Sequence, residues 1–155
     1  MVKRPNPRYT FTFLDLAWSG GRGRVYIGVN HNITEARQFA DLCTGQRGSS
    51  FFNTRLTRVW NKGKKDECVF GGNYDSGVNR MLSSDDYCDE GTVMFKSHTD
   101  MSGEFIICTK GTCPIYGTII GPTFMGMGLE VLKEAAQLSD ITQVTVVDCG
   151  VWVKA

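Results

Sequence analysis

Cys43-Thr44-Gly45, then residues 46–57, then Arg58-Val59: this spacing decides how the chain is read, and Gly71-Gly72 and Phe105-Ile106-Ile107-Cys108-Thr109 extend it downstream. The first triplet ends a segment in which Ile33, Ala36, Phe39, Ala40 and Cys43 recur at the spacing of a helix with one apolar face. Gly45 and Gly48 follow, and glycine ends helices because it enters the left-handed region without a Cβ penalty. Asn32 with Glu35 has the form of a helix N-cap and its capping-box partner.

Working outward, Tyr9 to Leu16 opens with alternating aromatic and polar residues, the period of a strand with one buried face. Ser19-Gly20-Gly21-Arg22-Gly23 is the turn and Arg24 to Val29 the return strand of a hairpin. Phe51 to Trp60 has strand character. Asn61-Lys62-Gly63-Lys64-Lys65-Asp66-Glu67 is a charged loop whose acidic end favours a solvated face over a nucleic-acid site. Gly71 to Glu90, rich in Gly, Asn, Asp and Ser, is a long irregular stretch, and such loops are more often functional than idle. Thr92 to Phe95, Glu104 to Thr109 and Ile115 to Ile120 are strands, Gly128 to Leu138 is a second amphipathic helix, and Gln143 to Asp148 closes the chain as a strand. Many short strands, two helices and no parallel-sheet rhythm predict a mainly β protein, a closed antiparallel barrel in which closure removes vulnerable edges.

The 155 residues are enough for one domain, expected over residues 9–155, with residues 1–8 a tail or linker because Pro5 and Pro7 disfavour regular structure. Seventeen Lys and Arg against sixteen Asp and Glu argue against an electrostatic hold on nucleic acid or anionic membrane. No run approaches the roughly twenty apolar residues of a membrane span, and the N-terminus lacks the apolar run of a secretory signal. The six cysteines form no Cys-x-x-Cys pair, so they read as free, mostly buried thiols in an intracellular, reducing compartment, cytoplasm or nucleus. Cys68, Cys88, His31 and His98 are the alternative, a metal set, but no two have ligand spacing; no metal and no cofactor is assigned.

From about Phe11 to Val153 these landmarks resemble the cyclophilins, the peptidyl-prolyl isomerase family. Gly23-Arg24-Val25 resembles the family's second-strand start, Phe39 to Gly45 its first helix end, Tyr116-Gly117 its Phe-Gly pair, and Val144 to Gly150 its closing strand. The resemblance implies a closed eight-stranded antiparallel barrel capped by two α-helices. It also implies a role for Arg58, whose family counterpart donates hydrogen bonds to the substrate carbonyl and to the prolyl nitrogen as the amide loses resonance. Such help must be stronger in the twisted state than in either planar one.

Around Arg58 the sequence departs from the family. Leu56-Thr57 replaces Phe-His, and extra residues precede Gly71-Gly72 where a groove-lining phenylalanine is expected. Phe70 replaces the groove glutamine, Lys96 a small alanine, Ser97 an asparagine that pairs with substrate backbone, Glu104 a glutamine, and Ile106 the phenylalanine flooring the proline pocket. The loop carrying the family's tryptophan is shortened, with Cys113-Pro114 in its place, so cyclosporin-type ligands are not expected. Displacing a catalytic donor by about 1 Å can cost about a hundredfold, and here nearly every wall of the pocket has changed.

The expected function is therefore a catalytically degenerate protein-interaction module, part of a larger protein or complex, that takes a protein or proline-containing peptide segment. Its candidate contact loops carry Trp60, Lys62, Lys64, Lys65 and Tyr74, with Phe70 as a further aromatic anchor. The alternative is a weak or narrow-specificity isomerase working through Arg58. A third reading, nucleic-acid binding through Arg55, Arg58, Lys62, Lys64 and Lys65, is disfavoured by the balanced charge. The surroundings of the Arg58 side chain discriminate between the first two. An arginine aimed into an open apolar pocket supports isomerisation, and one tied down by Glu104 or covered by Trp60 or Phe70 supports the degenerate reading.

Overall fold

A computed structural model describes residues 9–77, 87–122 and 128–152. The expected tail over residues 1–8, residues 78–86 of the long irregular stretch, and residues 153–155 of the expected domain lie outside the described residues. In chain order the elements are β1 (Tyr9–Trp18), β2 (Gly21–Asn30), α1 (Thr34–Thr44), β3 (Arg58–Trp60), β4 (Cys68–Gly72), β5 (Tyr87–Cys88), β6 (Thr92–Thr99), β7 (Ser102–Cys108), β8 (Cys113–Pro114), β9 (Thr118–Pro122), α2 (Leu129–Ala135), a 3-10 turn at Ile141–Gln143, and β10 (Thr145–Trp152).

The opening hairpin forms as the alternation requires. Leu14 stands opposite Val25 and Leu16 opposite Gly23, and Leu14, Leu16, Val25 and Ile27 are all buried. Thr12, on the same buried face, satisfies its hydroxyl by donating to the Ile27 carbonyl at 2.9 Å. β10 pairs antiparallel with the other edge of β1.

The strands fall into three antiparallel sheets, ordered β10-β1-β2, β3-β4-β7-β6-β9 and β5-β8. The mainly β architecture is as expected, but eight strands in one closed barrel are not seen: among the described residues no regular ladder joins the two larger sheets. At one seam the chain before β3 meets β10 through an isolated bridge between Arg55 and Thr145, with Leu56 N–H donating to Val144 O at 3.0 Å and Asn53 N–H to Val146 O at 2.7 Å. Residues 51–57 carry turns rather than the expected strand, which is why this seam stays short. At the other seam β9 abuts β2 so closely that a Cβ on Gly121 would stand 1.7 Å from the Gly28 carbonyl oxygen. The architecture is barrel-like, with both seams made of local contacts.

The first helix starts later than expected. Its N-cap is Ile33, with no side-chain cap, and Asn32 instead donates its backbone N–H to Asn30 Oδ1. The C-terminus follows the sequence: Gly45 is left-handed at φ 71° and donates to Asp41 O at 2.9 Å. Ala36, Phe39, Leu42 and Cys43 bury the apolar face. Phe39 meets Phe51, Phe95 and Phe105 with ring centroids 5.2, 5.8 and 6.1 Å away, the edge and tilted geometries that aromatic quadrupoles favour. α2 spans only the middle of the expected second helix and contributes Leu129, Leu132 and Ala135 to the same core.

The charged loop at residues 61–67 is not wholly solvated. Glu67 is buried at 1 % exposure, accepting from Gly63 N–H at 2.8 Å and from the Thr109 hydroxyl at 2.6 Å, so its carboxylate is satisfied by the turn it closes. No helix among the described residues is long and apolar enough to cross a membrane.

Candidate functional site

The five-stranded sheet buries apolar side chains on both faces, one of which also carries charged residues, and strand register sorts them. On one face Val59, Val69, Ile107 and Val93 line up, as do Gly71, Phe105 and Phe95, and they enter the main core with α1. By the two-residue period of a strand the opposite face carries three rows: Trp60, Cys68 and Cys108; Arg58, Phe70, Ile106 and Met94; and Gly72, Glu104 and Lys96. Most of the expected groove residues are therefore brought together on one surface. Ser97, opposite Gly103, has the other parity and bonds the Thr99 carbonyl at 3.1 Å.

That surface is covered. Phe70, Met94 and Ile106 are each 0 % exposed and form a second core with Cys68, Cys88, Cys108 and Cys113, against which Trp60 and Tyr116 pack. The cover includes the two-stranded β5–β8 ribbon, where Cys88 is opposite Cys113 and Tyr87 opposite Pro114. Strands of two residues carry no readable period, and neither was expected from the sequence. Phe70 as an exposed partner anchor is thus corrected, because its position on the inner face of this layer buries it. Trp60 and Tyr74 are only half-exposed, and Tyr74 stacks on His98 with centroids 3.7 Å apart.

Arg58 lies at the edge of this layer with its guanidinium engaged. Its Nη2 donates to Glu104 Oε2 at 3.3 Å and to Asp75 Oδ1 at 2.5 Å, and its Cζ lies 4.9 Å from the Phe70 ring centroid. Glu104, 1 % exposed at its side chain, also accepts from the Ser76 hydroxyl at 2.8 Å and from Ser76 N–H at 3.3 Å. Tyr116 donates to Ser76 Oγ at 3.4 Å, and Lys96 holds its ammonium 4.7 Å from the Tyr116 ring. Asp75, Ser76 and Tyr116 were not singled out from the sequence: the first two belong to an irregular stretch with no pattern, and only the fold brings them to Glu104.

The candidate loop cations do not converge. Lys62 donates to the Leu138 carbonyl at 2.7 Å, Lys64 and Lys65 are exposed, and Arg58 is committed to two carboxylates.

Beneath Ile106 and Phe70 the cysteines gather. The Sγ atoms of Cys88, Cys108 and Cys113 lie within 4.8 Å of one another, Cys88 and Cys108 at 2.9 Å, and Cys68, opposite Cys108, is buried in the same cluster. Contact with Cys113 and then burial drive the Cys68 thiol up. Contacts with Cys113 and Cys88, then burial, do the same to Cys108. Cys88, although its contact with Cys108 pulls the other way, is pushed up to about 12 by Cys113 and by burial. Cys113 is driven down by the neighbouring Cys108, Cys68 and Cys88 thiols, against its own burial. Cys68 and Cys88 of the sequence-derived metal set meet here; His31, beside Thr10, and His98, on Tyr74, do not. All six cysteines are free thiols.

No protein-family model and no curated protein matches the chain. Its structure is similar to the crystal structure of the Mimivirus cyclophilin, with a TM-score of 0.64 and 13 % identity over 97 % of this chain and 93 % of that one. The likeness is one of fold: the chain has a cyclophilin-like fold, mainly β with two helices.

Proposed function

We propose that this chain is a catalytically degenerate cyclophilin-like module that binds a protein or proline-containing peptide segment rather than isomerising it. The observation that carries the reading is the state of Arg58, held between Glu104 and Asp75 and lying over Phe70. Both carboxylates draw on Nη2 and hold the guanidinium in one direction, so that nitrogen is not available to strengthen its bonds to a twisting amide. The apolar floor that would hold a proline ring is also spent inside the second core. Exposed apolar side chains remain next to it, Tyr87 on the ribbon at 59 % and Ile115 just after it at 37 % exposed, and such residues suit a shape-read protein partner.

Isomerisation rates on a broad panel of Xaa-Pro peptides, with and without the chain, test this. The expected rate equals the uncatalysed one for wild type and for Arg58→Ala alike. A wild-type rate above background that Arg58→Ala abolishes would overturn the proposal and establish the alternative, a weak isomerase of the peptidyl-prolyl class acting through Arg58. Capture of a partner should in turn weaken when Tyr87 or the loop at residues 61–67 is changed.

A further inference from the structure

Four cysteine side chains meet in one buried place from four different strands. Cys68 on β4 and Cys108 on β7 are directly opposed across a ladder, as are Cys88 on β5 and Cys113 on β8. The first pair belongs to the five-stranded sheet and the second to the ribbon folded over it. Each of the four is at most 5 % exposed, and the surrounding side chains are Trp60, Phe70, Met94, Ile106 and Tyr116. From this convergence we infer a binding site for one zinc ion, with Cys68, Cys88, Cys108 and Cys113 as its four thiolate ligands and the ribbon-to-sheet junction as its location.

The geometry suits that ion. Zinc prefers four ligands in a tetrahedron with Zn–S of about 2.3 Å, which places the sulfurs about 3.8 Å apart. The sulfurs of Cys88, Cys108 and Cys113 span 2.9 Å to an upper limit of 4.8 Å, so small rotamer adjustments bring them onto that tetrahedron, and Cys68, outside that trio but opposite Cys108 in the same buried cluster, is the ligand that must turn in to complete it. An all-thiolate tetrahedral set selects zinc over the hard cations that take carboxylate and water. Burial explains why an ion would be held: thiolates are costly in an apolar interior, and a divalent cation at their centre compensates them as they release their protons. The ligand spacing hid the site. Each ligand sits on its own strand, so no Cys-x-x-Cys pair appears, and cross-strand register does the pairing that a short knuckle does elsewhere. The inference does not depend on whether Arg58 catalyses.

The experiment uses the full chain purified anaerobically with reductant. Metal and thiol content are measured first, and cobalt(II) is then loaded in place of zinc. One zinc per chain is expected, and the cobalt form should show intense tetrahedral d–d bands together with near-ultraviolet sulfur-to-cobalt charge transfer. Cys113→Ser should weaken the charge transfer and lower zinc affinity. Cys88→His, which keeps a ligand atom, should retain stoichiometric zinc with a smaller charge-transfer band, and it serves if the serine variant fails to fold. Cys43→Ser, in the main core, should leave stoichiometry and spectrum unchanged. A folded, fully reduced chain that takes up neither zinc nor cobalt would overturn the inference. So would a freshly isolated chain trapped with a Cys88–Cys108 disulfide, or metal loss in Cys43→Ser.

Discussion

Truncating Arg58 separates a structural arginine from one presented to substrate. The Glu104 carboxylate is 1 % exposed and counts Arg58 Nη2, at 3.3 Å, among its partners. Removing one member of a buried pair costs about 3–5 kcal/mol, because the surviving charge stays in a low-dielectric site. Two features reduce that figure here: Ser76 continues to donate to Glu104, and Arg58 is 18 % exposed, so water enters part of the vacated space. The Asp75 contact, with Asp75 55 % exposed, adds at most about 1 kcal/mol. Arg58→Ala should therefore destabilise the fold by about 2–4 kcal/mol. For a chain of this size that lowers the melting temperature by about 4–16 °C. Urea unfolding followed by tryptophan fluorescence reads the change as a lower midpoint at constant slope. Adding Glu104→Gln should recover part of the loss, since no buried charge is then left without its partner, giving a coupling energy of about 1–3 kcal/mol in the double-mutant cycle. An arginine that merely points at substrate would change stability by no more than about 0.5 kcal/mol. If Arg58→Ala unfolds at the wild-type midpoint, the assignment of Arg58 to the Glu104 network is wrong, and with it the main support for a non-catalytic module.

Phe70→Ala should cost about 3–5 kcal/mol, the usual range for emptying a phenylalanine site in a core, and a midpoint shift below about 1 kcal/mol would mean that the second layer is not packed. Asp140 accepts from Thr142 N–H at 3.0 Å and from the Thr142 hydroxyl at 2.6 Å, and these bonds hold its carboxyl below the usual 3.8. Because the folded value lies below the unfolded one, its contribution is present above the unfolded value and is lost as pH falls through the folded value. Carbon-detected titration of Asp140 should give a midpoint below 3.8, moving upward in Thr142→Ala; an unchanged midpoint would remove the cap from the account.

What the sequence made legible was local or periodic. Gly45 ends α1 because a left-handed residue is needed there, and the alternation of β1 and the 3.6-residue period of α1 follow from which side chains seek the core. The landmarks around Arg58 fall on one sheet face, since register with Phe70 and Ile106 follows once the strands pair. What escaped was non-local. The capping-box pattern at Asn32 failed because a side chain three positions on does not fix where the helical dihedrals begin, and Ile33 took the cap without any side-chain bond. The cover over the groove face escaped because β5 and β8 hold two residues each, too few to show a period. Of four cysteines scattered between positions 68 and 113, the sequence offered only Cys68 and Cys88 as metal candidates, and with the wrong partners, His31 and His98, until the ladders set the four cysteines in two facing pairs.

The ribbon and the cysteines are a single piece of structure, and they bear on function together. A sheet face can receive a peptide only if something leaves it open, and here the same face is closed by a ribbon with two paired positions. An isolated two-stranded ribbon of that length is not stable in water, so its place over Phe70, Met94 and Ile106 depends on what its side chains contact. Its inward-facing pair is Cys88 and Cys113, and both reach the sheet at Cys108. Tyr87, beside them, is exposed and adds little to the hold. A zinc ion shared by the ribbon and the sheet would bind the covered arrangement and not the open one, so it would favour the cover by mass action in proportion to free zinc over its dissociation constant. With zinc bound, the four cysteines shared by sheet and ribbon, rather than Arg58, would then determine how much of the apolar floor any partner meets.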